Sequence, residues 1–168
     1  MGSDEVLDHL RSVQGRLDDP VLPPHYPTCL GCGPDAPEGY HLQARRDGDE
    51  IVAEHVFEDR HSGAPGIAHG GAVATVVDDV LGHLLYVARV PAVTRHLEVE
   101  YLRPVLVGVP YVVRARTTSH EGRKLWLECT GTGPDGERAF TARGLFIAVP
   151  LSHFEVATSG DGQDPVAP

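Results

Sequence analysis

Apolar side chains recur at Val73, Val76, Val77, Val80, Leu81, Leu84, Leu85 and Ala88, the i, i+3, i+4, i+7 spacing of one helical stripe. Such a helix is roughly 28 Å long at 1.5 Å per residue, and it is too apolar to lie on a wetted surface. The rest of the chain must therefore cover it. Pro65 and Gly66 break any earlier helix, and Gly70-Gly71 leave bare backbone N–H groups at its positive end. The covering material reads as strands. Residues 40–46 and 50–57 form a hairpin turning at Asp47-Gly48-Asp49, and further strands follow over 94–102, 110–119, 124–132 and 138–149. Leu97, Val99 and Tyr101 alternate with His96, Glu98 and Glu100, so one sheet face is buried and the other is wetter. Turn residues at Pro104 and Gly108, Glu121-Gly122 and Pro134-Asp135-Gly136 join consecutive strands closely, which predicts a mainly antiparallel sheet. The expected architecture is α+β, with one long central helix wrapped by a curved, mainly antiparallel sheet of five to six strands.

Size and charge narrow the function classes. At 168 residues the chain makes one domain with a real core. A formal net charge of −10 with no offsetting basic run argues against nucleic acid. No stretch reads as a membrane span. The start, Met1-Gly2-Ser3-Asp4-Glu5-Val6, has neither the basic nor the apolar part of a signal peptide, so the cytoplasm is the expected compartment. Residues 1–28 divide into a short amphipathic helix carrying Val6, Leu7, Leu10, Val13 and Leu17, and a connector with Pro20, Pro23, Pro24 and Pro27. Residues 29–150 are the compact body, and the Ser-, Gly-, Asp- and Pro-rich residues 151–168 are an expected disordered tail.

Cys29-Leu30-Gly31-Cys32-Gly33 has the spacing of half a zinc knuckle. No second pair follows, and zinc would need His25, His41 or another remote ligand. The segment therefore reads as a tight Gly-rich turn, and no metal is expected. Cys129, alternating with Leu125 and Leu127, reads as a core thiol. On a helical wheel Asp78 lies on the flank of the apolar stripe, beside Leu85 and on the side of Gly71, Ala74 and Gly82. Small residues there admit another backbone. Asp79 points roughly the other way and is expected at the surface or in a supporting role.

His69-Gly70-Gly71 with an acid at position 78 resembles the signature of hotdog-fold acyl-CoA thioesterases of the phenylacetate-degradation type. Val99-Glu100-Tyr101-Leu102-Arg103-Pro104, followed by Gly108, is similar to the strand after the helix in that family. Cys29-Leu30-Gly31-Cys32-Gly33 leading to Gly39-Tyr40-His41-Leu42 resembles an N-terminal block of one bacterial branch. The resemblance covers residues 29–149. It implies Asp78 as the catalytic carboxylate, either nucleophile or base for water, and the Gly70 N–H as donor to the thioester carbonyl oxygen. It implies His69 as the residue that sets that loop and Thr94 as a hydroxyl holding the water or the carboxylate. Gly71, His61, Ser62 and Gly63 are the candidate substrate contacts. Gly63 departs from the pattern, because several relatives carry a polar amide there; His61 or Ser62 would have to supply that hydrogen bond.

The chemistry suits these residue types on its own terms. Thioester hydrolysis needs a donor where the oxyanion develops and a carboxylate that attacks or takes a proton from water. The nine residues from His69 to Asp78 span about 13.5 Å of helix, so Asp78 and Gly70 of one chain cannot meet at one carbonyl carbon. Two chains must contribute, which predicts a homodimer, or a dimer of dimers, with Asp78 of one copy facing Gly70 of the other. The expected partner is an acyl-CoA, with no bound cofactor. Arg45, Arg46, Arg89, Arg95, Arg103 and Arg143 are candidates for its phosphates. A non-catalytic acyl-binding hotdog domain is the alternative, and a hotdog dehydratase a further one, which usually wants a His base beside an acid near the loop.

Overall fold

The computed structural model describes residues 8–9, 12–13 and 15–154. The expected N-terminal helix falls only in part within them; of the expected disordered tail, residues 151–154 form a helical turn, with the Phe154 amide on the Leu151 carbonyl, and the rest lies outside them. The chain runs β1 (Ala44–Asp47), β2 (Glu50–Val56), a 3-10 turn (Asp59–His61), β3 (Ser62–Ala64), β4 (Ile67–Ala68), α1 (Gly70–Ala88), β5 (Ala92–Tyr101), β6 (Pro110–Glu121), β7 (Lys124–Thr132) and β8 (Arg138–Ala148). One long helix is embraced by a six-stranded sheet in the order β1-β2-β6-β7-β8-β5, in which every pairing is antiparallel. β3 and β4 make a separate small ribbon just before the helix.

Two-residue turns close the β1–β2 and β6–β7 hairpins, at Gly48-Asp49 and Gly122-Arg123. Gly48 and Gly122 take φ of +64° and +58°, values that a side chain disfavours and that match the right-handed twist of a hairpin. One connection departs from the expectation of consecutive pairing. β5 pairs with β8 and forms a sheet edge, while β6 sits beside β2 in the middle. The intervening residues 102–109 cross from one position to the other, and the Leu102 and Arg103 amides bind the Ala139 carbonyl on the way. Turn residues mark where a strand ends, and they do not say which strand it joins.

The concave face of the sheet holds α1. Val73, Val76, Val77, Val80, Leu81 and Leu84 have essentially no exposed surface, and they pack with Ile51, Phe57, Val113, Leu125, Leu127 and Phe140. Each fully buried aliphatic side chain of this kind contributes about 1.5–3 kcal/mol. By length and composition α1 is apolar enough to cross a membrane, against the sequence reading that no stretch qualifies, but here it is the core of the fold. The segment before residue 29 is also part of the body. Leu22 is buried, its amide binds the Ala44 carbonyl, and Val21 bridges to Arg45. At the far end α1 stops at Arg89, which adopts the left-handed conformation (φ 54°, ψ 39°), and its guanidinium contacts both Asp18 carboxylate oxygens at 2.8 Å.

Candidate active site

The N-terminal end of α1 is built by His69. Its backbone is extended (φ −64°, ψ 138°), it occupies the cap position, and its Nδ1 accepts the Gly71 amide at 2.9 Å. The Gly71 N–H is thereby spent inside the chain. No hydrogen bond to the Gly70 N–H is seen among the described residues, so this amide is the free donor at the positive end of the helix. Tyr101 at the end of β5 donates from its hydroxyl to the Gly70 carbonyl at 2.7 Å, tying sheet edge to helix start. The His69 amide binds the His61 carbonyl at 2.7 Å, which fixes the loop from behind.

The other candidate substrate contacts stand apart. His61 turns its ring into the body, where Nδ1 accepts the Glu58 amide at 3.0 Å and the ring stacks on Tyr40 at 4.3 Å. Burial, with Arg60 adding to it, holds the His61 pKa below the usual imidazole range. Ser62 and Gly63 lie exposed on β3. At Gly63 a Cβ would sit 2.9 Å from the His69 Cα, so in this backbone glycine lets β3 close against the capping histidine. That gives a physical reason for the departure from an amide side chain at this position.

Asp78 and Thr94 are brought together. The Thr94 hydroxyl donates to Asp78 Oδ1 at 2.9 Å. Both line a cavity of about 870 Å³ whose wall includes Leu85, Tyr86, Val93 and Phe146, with Arg89 at one side. Burial raises the Asp78 pKa above the usual carboxylate value; the Thr94 hydrogen bond works against that rise, and the neighbouring Asp79 charge adds to it. The result is a half-buried carboxylate, oriented by a hydroxyl, at the wall of a largely apolar cleft. It sits eight residues, about 12 Å, along the helix from the Gly70 amide. In one chain the Gly70 amide and the Asp78 carboxylate occupy different places.

Asp79 is where sequence reasoning was wrong. Its side chain is 4% exposed and faces residues 22–39, which wrap over the side of the helix treated as surface. His25 Nδ1 stands 3.1 Å from Asp79 Oδ1, and Cys29 Sγ stands 3.4 Å from the same oxygen. The Cys32 Sγ lies 3.3 Å from His25 Nδ1. His83, one helical turn on and fully buried, packs its ring 4.0 Å from that of His25. Burial, the largest single influence, raises the Asp79 pKa, but the His25 hydrogen bond and charge together with His83 and Cys32 bring it below the usual carboxylate value. For His25 burial works downward, and the hydrogen bonds and charges of Asp79 and Cys29 together lift its pKa to about 10. Gly82, read as part of a small interface face, is instead covered by the His25 ring, which a Cβ would meet at 3.0 Å. The Asp79/His83 spacing of four residues was the signal in the sequence; Asp79 was expected at the surface or in a supporting role, and His83 was not singled out.

Comparison with known proteins bears on the fold and on the segment around α1. Residues 65–139, which contain α1, β5, β6 and β7, match the model of the thioesterase superfamily. A solved thioesterase superfamily protein superposes with a TM-score of 0.67 at 22% identity, over 86% of this chain and 81% of its own. The PaaI protein of the E. coli phenylacetic acid degradation operon superposes with a TM-score of 0.62 at 13% identity, over 66% of this chain and 81% of its own. The family match covers less than half of the chain, and the likeness to the solved structures carries the hotdog fold. Acyl-coenzyme A thioesterase THEM4 of Mus musculus is 36% identical over 86 residues, which are 51% of this chain and 37% of that protein. The chain thus matches little more than a third of the length of this curated relative. In the hotdog arrangement α1 is the central helix, and the Asp78 and Asp79 faces are its two flanks.

Proposed function

We propose that this chain hydrolyses acyl-CoA thioesters, with Asp78 as the base or nucleophile and the Gly70 N–H as the donor that receives the developing oxyanion. The observation that carries the reading is the Asp78–Thr94 pair at the wall of the apolar cleft, within the segment that matches the thioesterase superfamily. The cleft accepts an acyl chain, and the carboxylate is held where the carbonyl carbon would enter. A well-placed amide aimed at the oxyanion is worth about 2.7–4 kcal/mol. A carboxylate whose pKa is raised is, once ionised, a better proton acceptor than a solvated one.

The separation of about 12 Å along α1 makes the active unit a homodimer, with each site built from Asp78 of one copy and Gly70 of the other. Two features support this arrangement. β5 is a sheet edge with pairing on one side, and its Thr94, His96, Glu98 and Glu100 are exposed. The adjacent flank of α1, from Gly71 through Ala74 and Thr75 to Asp78, is the part of the helix its own sheet leaves open.

Thiol release from a panel of acyl-CoAs tests the activity. Asp78→Asn should lower kcat by about 10²-fold or more, because the amide neither attacks nor accepts the proton. Unchanged turnover would remove Asp78 from the chemistry, and no turnover of any thioester by the wild type would favour an acyl-binding domain. The shared site has its own test. Gly70→Pro deletes the N–H at a helix position that tolerates proline and follows an extended residue. Gly70→Pro and Asp78→Asn should each be inactive alone. Mixed dimers should regain about a quarter of the wild-type rate, since half the dimers form mixed and half their sites are intact.

A further inference from the structure

We infer that His25, Cys29, Cys32 and Asp79 form a structural binding site for a tetrahedral divalent metal ion, zinc being the ion this donor set favours. The site lies beside the proposed reaction centre and does not depend on that reading. Its donors come from three places in the fold: the proline-rich segment, the Cys29–Gly33 turn, and the middle of α1. Two thiols, one imidazole nitrogen and one carboxylate oxygen are the mixed soft and borderline ligands that zinc takes in closed four-coordinate sites.

The donors stand about as close as one ion would hold them. A tetrahedron with metal–ligand bonds of about 2.0–2.3 Å has six edges of about 3.3–3.8 Å. Three of them are seen at or slightly below that range: His25 Nδ1 to Asp79 Oδ1 at 3.1 Å, His25 Nδ1 to Cys32 Sγ at 3.3 Å, and Cys29 Sγ to Asp79 Oδ1 at 3.4 Å. His25, Cys32, Asp79 and His83 together place a ligand atom each within 4.8 Å of one another. His83 is a supporting group, because its Nδ1 is engaged by the Asp79 carbonyl at 2.9 Å. The same nitrogen stands 3.6 Å from Asp79 Oδ2, beyond hydrogen-bond reach.

Two independent features point to a ligand. Asp79 Oδ2 is buried and has no hydrogen-bond partner among the described residues, although its side chain is only 4% exposed. Oδ1 has His25 and Cys29 beside it, but a buried carboxylate oxygen left without a partner is expensive, and a cation held by this carboxylate would offset that cost. The site is also framed by glycines. A Cβ at Gly31 would collide with the Asp79 carboxylate, and one at Gly82 would press on the His25 ring. The backbone has been cleared on both sides of the donors. With both thiols ionised and His25 neutral, the dication leaves the cluster with a single negative charge in place of three. Such an ion would clamp residues 25–32 onto α1 one residue from Asp78.

The full chain, expressed in zinc-supplemented medium and purified without chelator under reducing conditions, should carry about one zinc per chain by elemental analysis. Replacement with cobalt should give the intense visible bands of a tetrahedral ion together with a thiolate charge-transfer band. Cys29→Ser and Cys32→Ser should each lose most of the metal, and Cys129→Ser should keep it. Chelation of the wild type should lower its Tm and expose two additional reactive thiols, a readout that needs no variant to fold and no acyl substrate. Protein that holds no zinc and takes up neither zinc nor cobalt when reduced would overturn the site. So would a Cys29–Cys32 disulfide that forms with zinc present and leaves Tm insensitive to chelator.

Discussion

Asp78 and Asp79 are adjacent on one helix, yet they occupy different kinds of site. Asp78 faces the cleft, has one oriented partner in the Thr94 hydroxyl, and is held by burial above the usual carboxylate pKa. Asp79 faces the wrapped N-terminal segment, has His25, Cys29 and His83 around it, and is held below the usual value. One hundred degrees of helical rotation separates the carboxylate proposed to do the chemistry from one packed among His25, Cys29 and His83. Mutating the two in parallel separates reactivity from stability within a single turn.

The largest expected effect is on the structural side. Asp79→Ala removes the carboxylate and strands His25 in a half-buried pocket. Breaking a buried pair from one side costs about 3–5 kcal/mol. Urea denaturation should show that loss as a lower midpoint with little change in slope, while any residual folded enzyme keeps its kcat. A variant as stable as wild type would remove the distinction between the two acids.

Asp78→Asn should invert this pattern: kcat falls by about 10²-fold and the fold is retained. Its pH dependence carries a further sign. Because the folded pKa of Asp78 is raised, the native state holds a proton over a window in which the unfolded chain has already released it. Asp78 therefore weakens the wild type as pH climbs from the ordinary carboxylate range through the raised value. Asparagine does not titrate, so the variant should gain on the wild type across that window and match its trend below it. Urea midpoints of both proteins from pH 3.5 to 7 check this, and a constant difference would show that the pKa of Asp78 is not raised. Gly82→Ala is the milder probe of the other flank. The added methyl presses on the His25 ring and should cost about 1–2 kcal/mol of stability, leaving kcat unchanged.

The same two flanks show what a sequence can and cannot reveal. The stripe from Val73 to Ala88 and the alternating strands were legible because their periodicity is local; β7 falls at the expected residues 124–132. The pairing of β5 with β8 was not legible, since it joins residues some fifty apart and depends on how the sheet closes around the helix. Asp78 stood out as an acid on the edge of an apolar face, and Thr94 was placed through the family resemblance. Asp79 was misjudged because a helical wheel knows only a helix and a surrounding. It does not show that residues 22–39 fold back over the polar side and turn it into a second interior. The Cys29-x-x-Cys32 spacing was visible from the start; its partners were the remote His25 and an aspartate assigned to solvent.

The smallest effect expected is at the hydroxyl that distinguishes the cleft carboxylate from a merely buried one. Thr94→Val keeps the shape of β5 and removes the one side-chain hydrogen bond to Asp78 seen among the described residues, which opposes its raised pKa. The carboxylate should then ionise later. If Asp78 must be ionised to act, the acidic limb of the kcat profile moves to higher pH, the rate on that limb drops severalfold, and the plateau above it holds. A hydrogen bond of this kind is worth about 0.5–1.5 kcal/mol net, enough to move the limb visibly and too little to unfold the chain. Should the plateau fall while the limb stays in place, Thr94 acts on the attacking water and leaves the Asp78 pKa alone. Should neither move, the Asp78–Thr94 contact is packing, and the contrast between the two acids rests on burial alone.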